Sequence, residues 1–359
     1  MAFELEKLFT DVFAPRPVDV VTIIHDLPHG EITDRASWQA RREMAADWHR
    51  QIAGFAGGIG MTVNPIVTYE ATGAHNSDMP EYGMRGGERI RLEDAIGAST
   101  ILISMPQFSA SAPLLGFTKV FPGLRVASMP TVARSMEETA LSADYRQVDE
   151  VCTRIAPLFE RAEGIEVTFS TGHTCWFDVS DNNVVFKDNG LLHPDAGAES
   201  DRVCNLPAGE VCACPNEAAD SRTAGEIPAV FGGETVVFLV RNNRIVDVRG
   251  DGPEAAKKRE AFREEAAMQN IAEVAIGCND RAVVTGNILE DEKAGFHWAY
   301  GRSDHLGGTV GVADFSSPAK VCHMDIVYAP GNPVVCARLD FVFPDGTRTT
   351  AITDGLLCV

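Results

Sequence analysis

No stretch of this sequence approaches the roughly 18 consecutive apolar residues needed to cross a bilayer; runs such as Thr235-Val236-Val237-Phe238-Leu239-Val240 fall well short. Positive charge is scarce too. Against 51 aspartates and glutamates stand 31 lysines and arginines, a formal charge of −20, and no basic cluster stands out. Nucleic acids and anionic membranes are therefore not expected as partners, since their binders concentrate basic residues on one surface. The segment from Met1 to Lys7 has no basic stretch followed by an apolar run, so nothing in it directs secretion, and a cytoplasmic location is expected. The nine cysteines lack the paired spacing of a disulfide framework. Cys204, Cys212 and Cys214 lie close in sequence, but no second pair or nearby histidine completes a tetrahedral zinc set. Gly57-Gly58-Ile59-Gly60 lacks the Gly-x-Gly-x-x-Gly spacing and no phosphate-loop lysine motif occurs, which excludes the usual dinucleotide and triphosphate cradles.

What is present is enough apolar residue, 45% of 359, to fill about two cores. The first part alternates strand-like and helical runs. Val20 to Ile24 and Thr100 to Ser104 read as buried strands, while Arg35 to Phe55 repeats Trp38, Met44, Trp48 and Ile52 at helical spacing. Val148 to Arg161 reads as a helix and Ile165 to Phe169 as a strand with period-two alternation. This texture predicts an α/β fold with a mostly parallel sheet over residues 1–195. A polar, Asn/Asp/Gly-rich connection between Asp178 and Arg202 marks a boundary near 195. Residues 196–359 are β-rich, with hairpins expected at Asn242-Asn243 and at Pro344-Asp345-Gly346. One charged helix is predicted to open at Asp251-Gly252-Pro253, with Asp251 as N-cap, and to run to about Asn270.

The residues with chemistry lie in this second part. In a strand, His323 and Asp325 project from the same face while Cys322, Met324 and Ile326 point away. An imidazole beside a carboxylate on a rigid strand makes half of a metal site. His297, Glu273 and Glu210 can supply the other half. Each has a plainer reading: a hydrogen-bonded core histidine for His297, a solvent-facing edge position for Glu273, and an exposed turn for Glu210.

Four segments together resemble a known family. Asn205-Leu206-Pro207-Ala208-Gly209-Glu210-Val211, Ala272-Glu273-Val274-Ala275-Ile276-Gly277-Cys278-Asn279, Asp291-Glu292-Lys293-Ala294-Gly295-Phe296-His297-Trp298-Ala299-Tyr300-Gly301 and His323-Met324-Asp325 are similar, in order and approximate spacing, to the successive motifs of the thermophilic metalloprotease family, the aminopeptidase T type. The likeness runs from about residue 200 to 330. It implies a two-domain homodimer with an active site in the cleft between domains. Glu210, Glu273, His297, His323 and Asp325 would hold two divalent ions of zinc, cobalt or manganese, one carboxylate bridging them. A water activated there would hydrolyse an N-terminal peptide bond or a small amide, so the expected partner is a small molecule or short peptide.

The pattern departs at Asp304. The family places there, seven residues after the histidine matching His297, a tyrosine whose hydroxyl can steady an oxyanion, and a carboxylate cannot donate that bond unless protonated. His305, Tyr300 and Arg302 are the alternative donors. His173 and His193 are candidates for acid, base or substrate contact; the plainer reading is that they satisfy local loops. Cys175 has no evident base to make it a nucleophile. Gly307-Gly308 and Gly311 are expected to form a tight turn or lip. The same resemblance takes in 2,5-dihydroxypyridine dioxygenases, in which His297, His323 and Asp325 would hold one ferrous ion. A metal-stabilised binding protein is the non-enzymatic alternative.

Overall fold

Period-two burial in short β-branched runs and helical periodicity in longer ones give alternating strands and helices, and the computed structural model shows both over residues 3–180, 184–195, 202–317 and 320–359. The chain forms two compact units, Met1–Asp149 with Asp188–Ala208, and Glu150–Lys187 with Gly209–Val359. A single boundary near 195 therefore does not describe it. The strand Gly164–Phe169 pairs antiparallel with Cys336–Val342, which takes this segment into the second unit. The strand Val203–Asn205 pairs parallel with Arg125–Ser128, which returns residues just past the boundary to the first. Residues 196–201, within the polar connection, lie outside the described residues.

In the first unit Val20–Leu27 runs parallel to both Val67–Glu70 and Ile101–Ser104, and its six inner residues are buried. Parallel strands covered on both faces are rich in β-branched residues, as residues 20–24 are, and here the buried His25 and Asp26 follow before Leu27. Arg125–Ser128 extends the parallel set, and the hairpin Tyr82–Arg85 with Glu88–Arg91 forms an antiparallel edge. The helix Ala36–Ile59 buries Trp38, Met44, Trp48 and Ile52 and stops at Gly60, whose φ of 90° places it in the left-handed region that glycine tolerates. A buried ion pair ties the start of the sheet, with Arg125 Nη2 donating to Asp19 Oδ1 at 2.7 Å.

The second unit holds an eight-stranded and a five-stranded sheet. The predicted hairpin is present, Glu234–Arg241 turning into Arg244–Arg249 through Asn242 and Asn243 at φ 49° and 59°. The charged helix spans Pro253–Glu264 and is shorter than expected, a 3₁₀ turn following at Ala266–Gln269. Its cap is not Asp251 either. Glu234 reaches over from the hairpin and accepts from the Glu254 and Ala255 amides at 2.7 and 3.1 Å, a tertiary cap at the position where helix dipole and free N–H groups favour a carboxylate. Phe296, Trp298 and Tyr300 on the small sheet meet Phe177, Phe238 and Phe262 in ring contacts of 5.3 to 6.3 Å, so one face of that sheet is given over to the core. No helix among the described residues is long and apolar enough to cross a membrane.

Candidate metal centre

The other face of the small sheet carries polar chemistry because strand side chains alternate and the register is fixed. Four of its strands are Glu210–Ala213, Ile271–Gly277, Phe296–Gly301 and His323–Val327, in that spatial order, the last at the edge. Glu210 lies opposite Gly277; Ala275 lies opposite both Cys212 and His297; Ala299 lies between Glu273 and Asp325; Gly301 lies opposite His323. Every large polar side chain thus has a glycine or alanine as a cross-strand neighbour, which opens a shallow bed in which the ligating groups can lean toward one another.

All five residues expected as ligands are brought together here. His323 Nε2 is 2.8 Å from Glu273 Oε2 and 3.4 Å from Asp325 Oδ1. His297 Nε2 is 3.3 Å from Glu210 Oε2 and 3.8 Å from Glu273 Oε1. Three groups of possible ligand atoms lie within 4.8 Å of one another: Glu210 with Glu273 and His297, Glu273 with His323 and Asp325, and Glu292 with His297 and Asp325. None of them includes a cysteine. The plain readings of Glu273 and Glu210 as solvent-facing do not hold, since both are buried.

The donor set fits a cation. His297 Nδ1 is 3.3 Å from the Gly295 carbonyl and His323 Nδ1 is 2.7 Å from that of Arg302. A carbonyl only accepts, so Nδ1 carries the proton in each ring and Nε2 is turned toward the carboxylates, the orientation that backbone partners impose on metal-ligating histidines. Glu210 Oε2 is buried and completes no hydrogen bond. With nothing but protons to balance the charge, burial would lower the His297 pKa, but Glu210, Glu273 and Glu292 raise it to about 9. Asp325 and Glu273 likewise outweigh burial and lift His323 well above its ordinary value.

Two residues of the cluster carried no sequence signal of their own. Lys293, fully buried, places Nζ 2.7 Å from Glu210 Oε1 and 2.8 Å from Glu292 Oε1. Burial raises the Glu292 carboxyl to about 8 despite Lys293, with Glu210 and Asp325 adding to the rise. Both sit in a charged trio, Asp291-Glu292-Lys293, that composition alone reads as surface. Gly277 is the clue to their burial: a Cβ there would lie 2.4 Å from the Lys293 carbonyl carbon and 2.6 Å from the Glu292 oxygen, so the strand accepts this backbone only at a glycine.

The candidate catalytic residues divide. His305 packs its ring edge-on against His323, centroids 4.8 Å apart, and burial, with His323 and Arg302 adding to it, lowers its pKa to about 3, so it stays neutral. Asp304 receives Arg302 Nε at 2.5 Å and Nη2 at 3.2 Å. Arg302 overcomes the effect of burial and holds Asp304 below the usual carboxylate range, so it cannot donate to an oxyanion. Tyr300 is on the opposite face of the sheet from His297 and accepts from Lys258 Nζ at 2.9 Å, which removes it as a donor for this cluster. His173 engages Thr171 Oγ1 at 2.8 Å and faces Glu226 at 3.7 Å; His193 bonds to the Asp11 carbonyl at 3.0 Å. Neither belongs to the ligand groups of the small sheet. Cys175 is buried, and burial pushes its thiol far up, so it is no nucleophile. Gly307 forms a turn at φ 81°.

Two solved structures share this fold. The 2,5-dihydroxypyridine dioxygenase from Pseudomonas putida KT2440 superposes with a TM-score of 0.65 at 16% identity, over 99% of this chain and 97% of that one. Wild-type AmpT from Thermus thermophilus gives 0.58 at 15% identity, over 99% and 98%. At such identities the likeness is one of fold. No protein-family model and no curated protein matches the sequence.

Proposed function

We propose that this chain is a divalent-metal-dependent enzyme that hydrolyses an N-terminal peptide bond or a small amide, working as a homodimer. The observation that carries the reading is the convergence of His297, His323 and four carboxylates, whose possible ligand atoms lie within 4.8 Å of one another in three overlapping groups. Glu273, His297, His323 and Asp325 would hold the ion, with Glu210 and Glu292 beside them. A bound divalent ion supplies polarisation of a carbonyl and a lowered proton affinity for water. Glu292, whose carboxyl lies beside His297 and Asp325, would take a proton from the water and pass it to the leaving amine, the task of a carboxyl placed beside the ion. His305, neutral and against His323, offers a ring nitrogen to the substrate. The loop that follows it helps to wall a cavity of about 320 Å³, with Cys214, Glu217, Leu306 and Gly308 among its lining, a size that favours a small substrate.

A second reading is ring cleavage of a dihydroxypyridine-like compound at one ferrous ion held by His297, His323 and Asp325. The Arg302–Asp304 pair favours it, because no hydroxyl donor stands where the peptidase resemblance calls for one. Elemental analysis of protein purified anaerobically without chelator, followed by assays with aminoacyl anilides and with 2,5-dihydroxypyridine under oxygen, separates the two. Zinc, cobalt or manganese with anilide turnover supports hydrolysis. Iron with oxygen uptake moves the assignment to the second reading, and no stoichiometric metal defeats both. Light scattering tests the dimer.

A further inference from the structure

We infer that Lys293 takes the place of a second divalent ion, so that the ligand cluster holds one ion where its five acidic and imidazole ligands would suit two. The inference rests on the cluster being a metal centre at all. The side chain of Lys293 is entirely buried, and Nζ bridges Glu210 Oε1 at 2.7 Å and Glu292 Oε1 at 2.8 Å. It is held in place by its backbone. The Lys293 carbonyl accepts from the Asn279 amide at 3.1 Å, the neighbouring Gly295 carbonyl accepts from Gly277 at 2.8 Å, and Gly277 lacks the Cβ that would push this segment off the sheet.

Of the three possible ligand groups, one contains Glu210 and another Glu292, the two carboxylates that Lys293 engages. A divalent ion in either group would share a carboxylate with a buried ammonium a few ångströms away, where low dielectric leaves like charges strongly repelled. The third group, Glu273 with His323 and Asp325, contains neither carboxylate. One ion belongs there, with His297, whose Nε2 lies 3.8 Å from Glu273 Oε1, as its further ligand. Lys293 then contributes a single fixed positive charge at the second position, enough to compensate Glu210 but unable to exchange, dissociate or carry a water.

The test counts ions in the full chain after equilibration with excess zinc and gel filtration, and follows zinc binding by titration calorimetry. The wild type is expected to hold one zinc. Lys293→Met is expected to hold two, or to bind the second at least tenfold more tightly than the wild type does. Should that variant fail to fold, Glu210→Gln decides: it keeps one zinc if Glu210 belongs to Lys293 and loses it if Glu210 is a ligand of the resident ion, which overturns the inference. Two tightly held zinc ions in the wild type, or a folded Lys293→Met that still takes one with unchanged second-site affinity, also overturn it. A wild type that takes no zinc overturns the metal reading underneath, a different failure from the other two.

Discussion

Glu273 is the residue on which the cluster turns, since it reaches both His323 at 2.8 Å and His297 at 3.8 Å. Its importance was legible only through the neighbours it shares with the family motifs; in isolation it reads as an edge position. His323 and Asp325 could be paired from strand spacing alone, whereas Glu292 and Lys293 could not, because the burial of a charged trio depends on a glycine in another strand. His323→Ala or Asp325→Ala is expected to lower zinc content below stoichiometry and activity by about 100-fold or more, as measured by elemental analysis and turnover on one preparation. Full loading in both variants would remove them from the site. Proton competition adds a pH signature. In the metal-free chain His297 titrates at about 9 and His323 is raised as well, so zinc must displace protons and its affinity should climb as pH rises from 6 to 9. Calorimetry in buffers of different ionisation heat measures the proton release; an affinity indifferent to pH would mean that these Nε2 atoms bind nothing.

At the scale of elements, strands and hairpins were readable wherever a local rule governs them. Val20–Leu27, the Asn242-Asn243 turn and the hairpin at Pro344-Asp345-Gly346 follow from burial pattern and turn chemistry. The cap of Pro253–Glu264 was not, because it comes from Glu234, nearly twenty residues earlier and on another element. Glu234→Ala should therefore cost about 0.5–2 kcal/mol, in the range of other lost caps, while Asp251→Ala should cost little; equal effects in a urea titration would contradict the assignment. Gly277→Ala should cost about 1–3 kcal/mol by overpacking, because its methyl group meets the Lys293 backbone. The same denaturant midpoint checks it, and an unchanged midpoint would mean that the segment yields easily.

For the whole molecule, the α/β character and the β-rich second part could be read from texture, but not how the chain is shared between its units, since pairings such as Gly164–Phe169 with Cys336–Val342 leave no mark in local composition. Removing the metal should be felt in one unit only. With chelator, hydrogen exchange is expected to quicken in peptides from the strands at 271–277, 296–301 and 323–327, and to stay unchanged in Val20–Leu27 and Ile101–Ser104, because a ligand stabilises the structure that binds it. Equal loss of protection in both sets would show that the ion supports the entire chain.

The interleaving of the two units also sets an order of events at the ribosome. The strand Arg125–Ser128 emerges without the neighbour Val203–Asn205 that completes its sheet. Gly164–Phe169 must then wait for Cys336–Val342, made long after it, before it is covered on that side. Neither unit can finish in simple N-to-C succession, so the nascent chain carries Gly164–Phe169 paired with Thr174–Asp178 on one side and with its other edge open until Cys336–Val342 is made, the kind of exposed edge that chaperones bind and that aggregates when they are scarce.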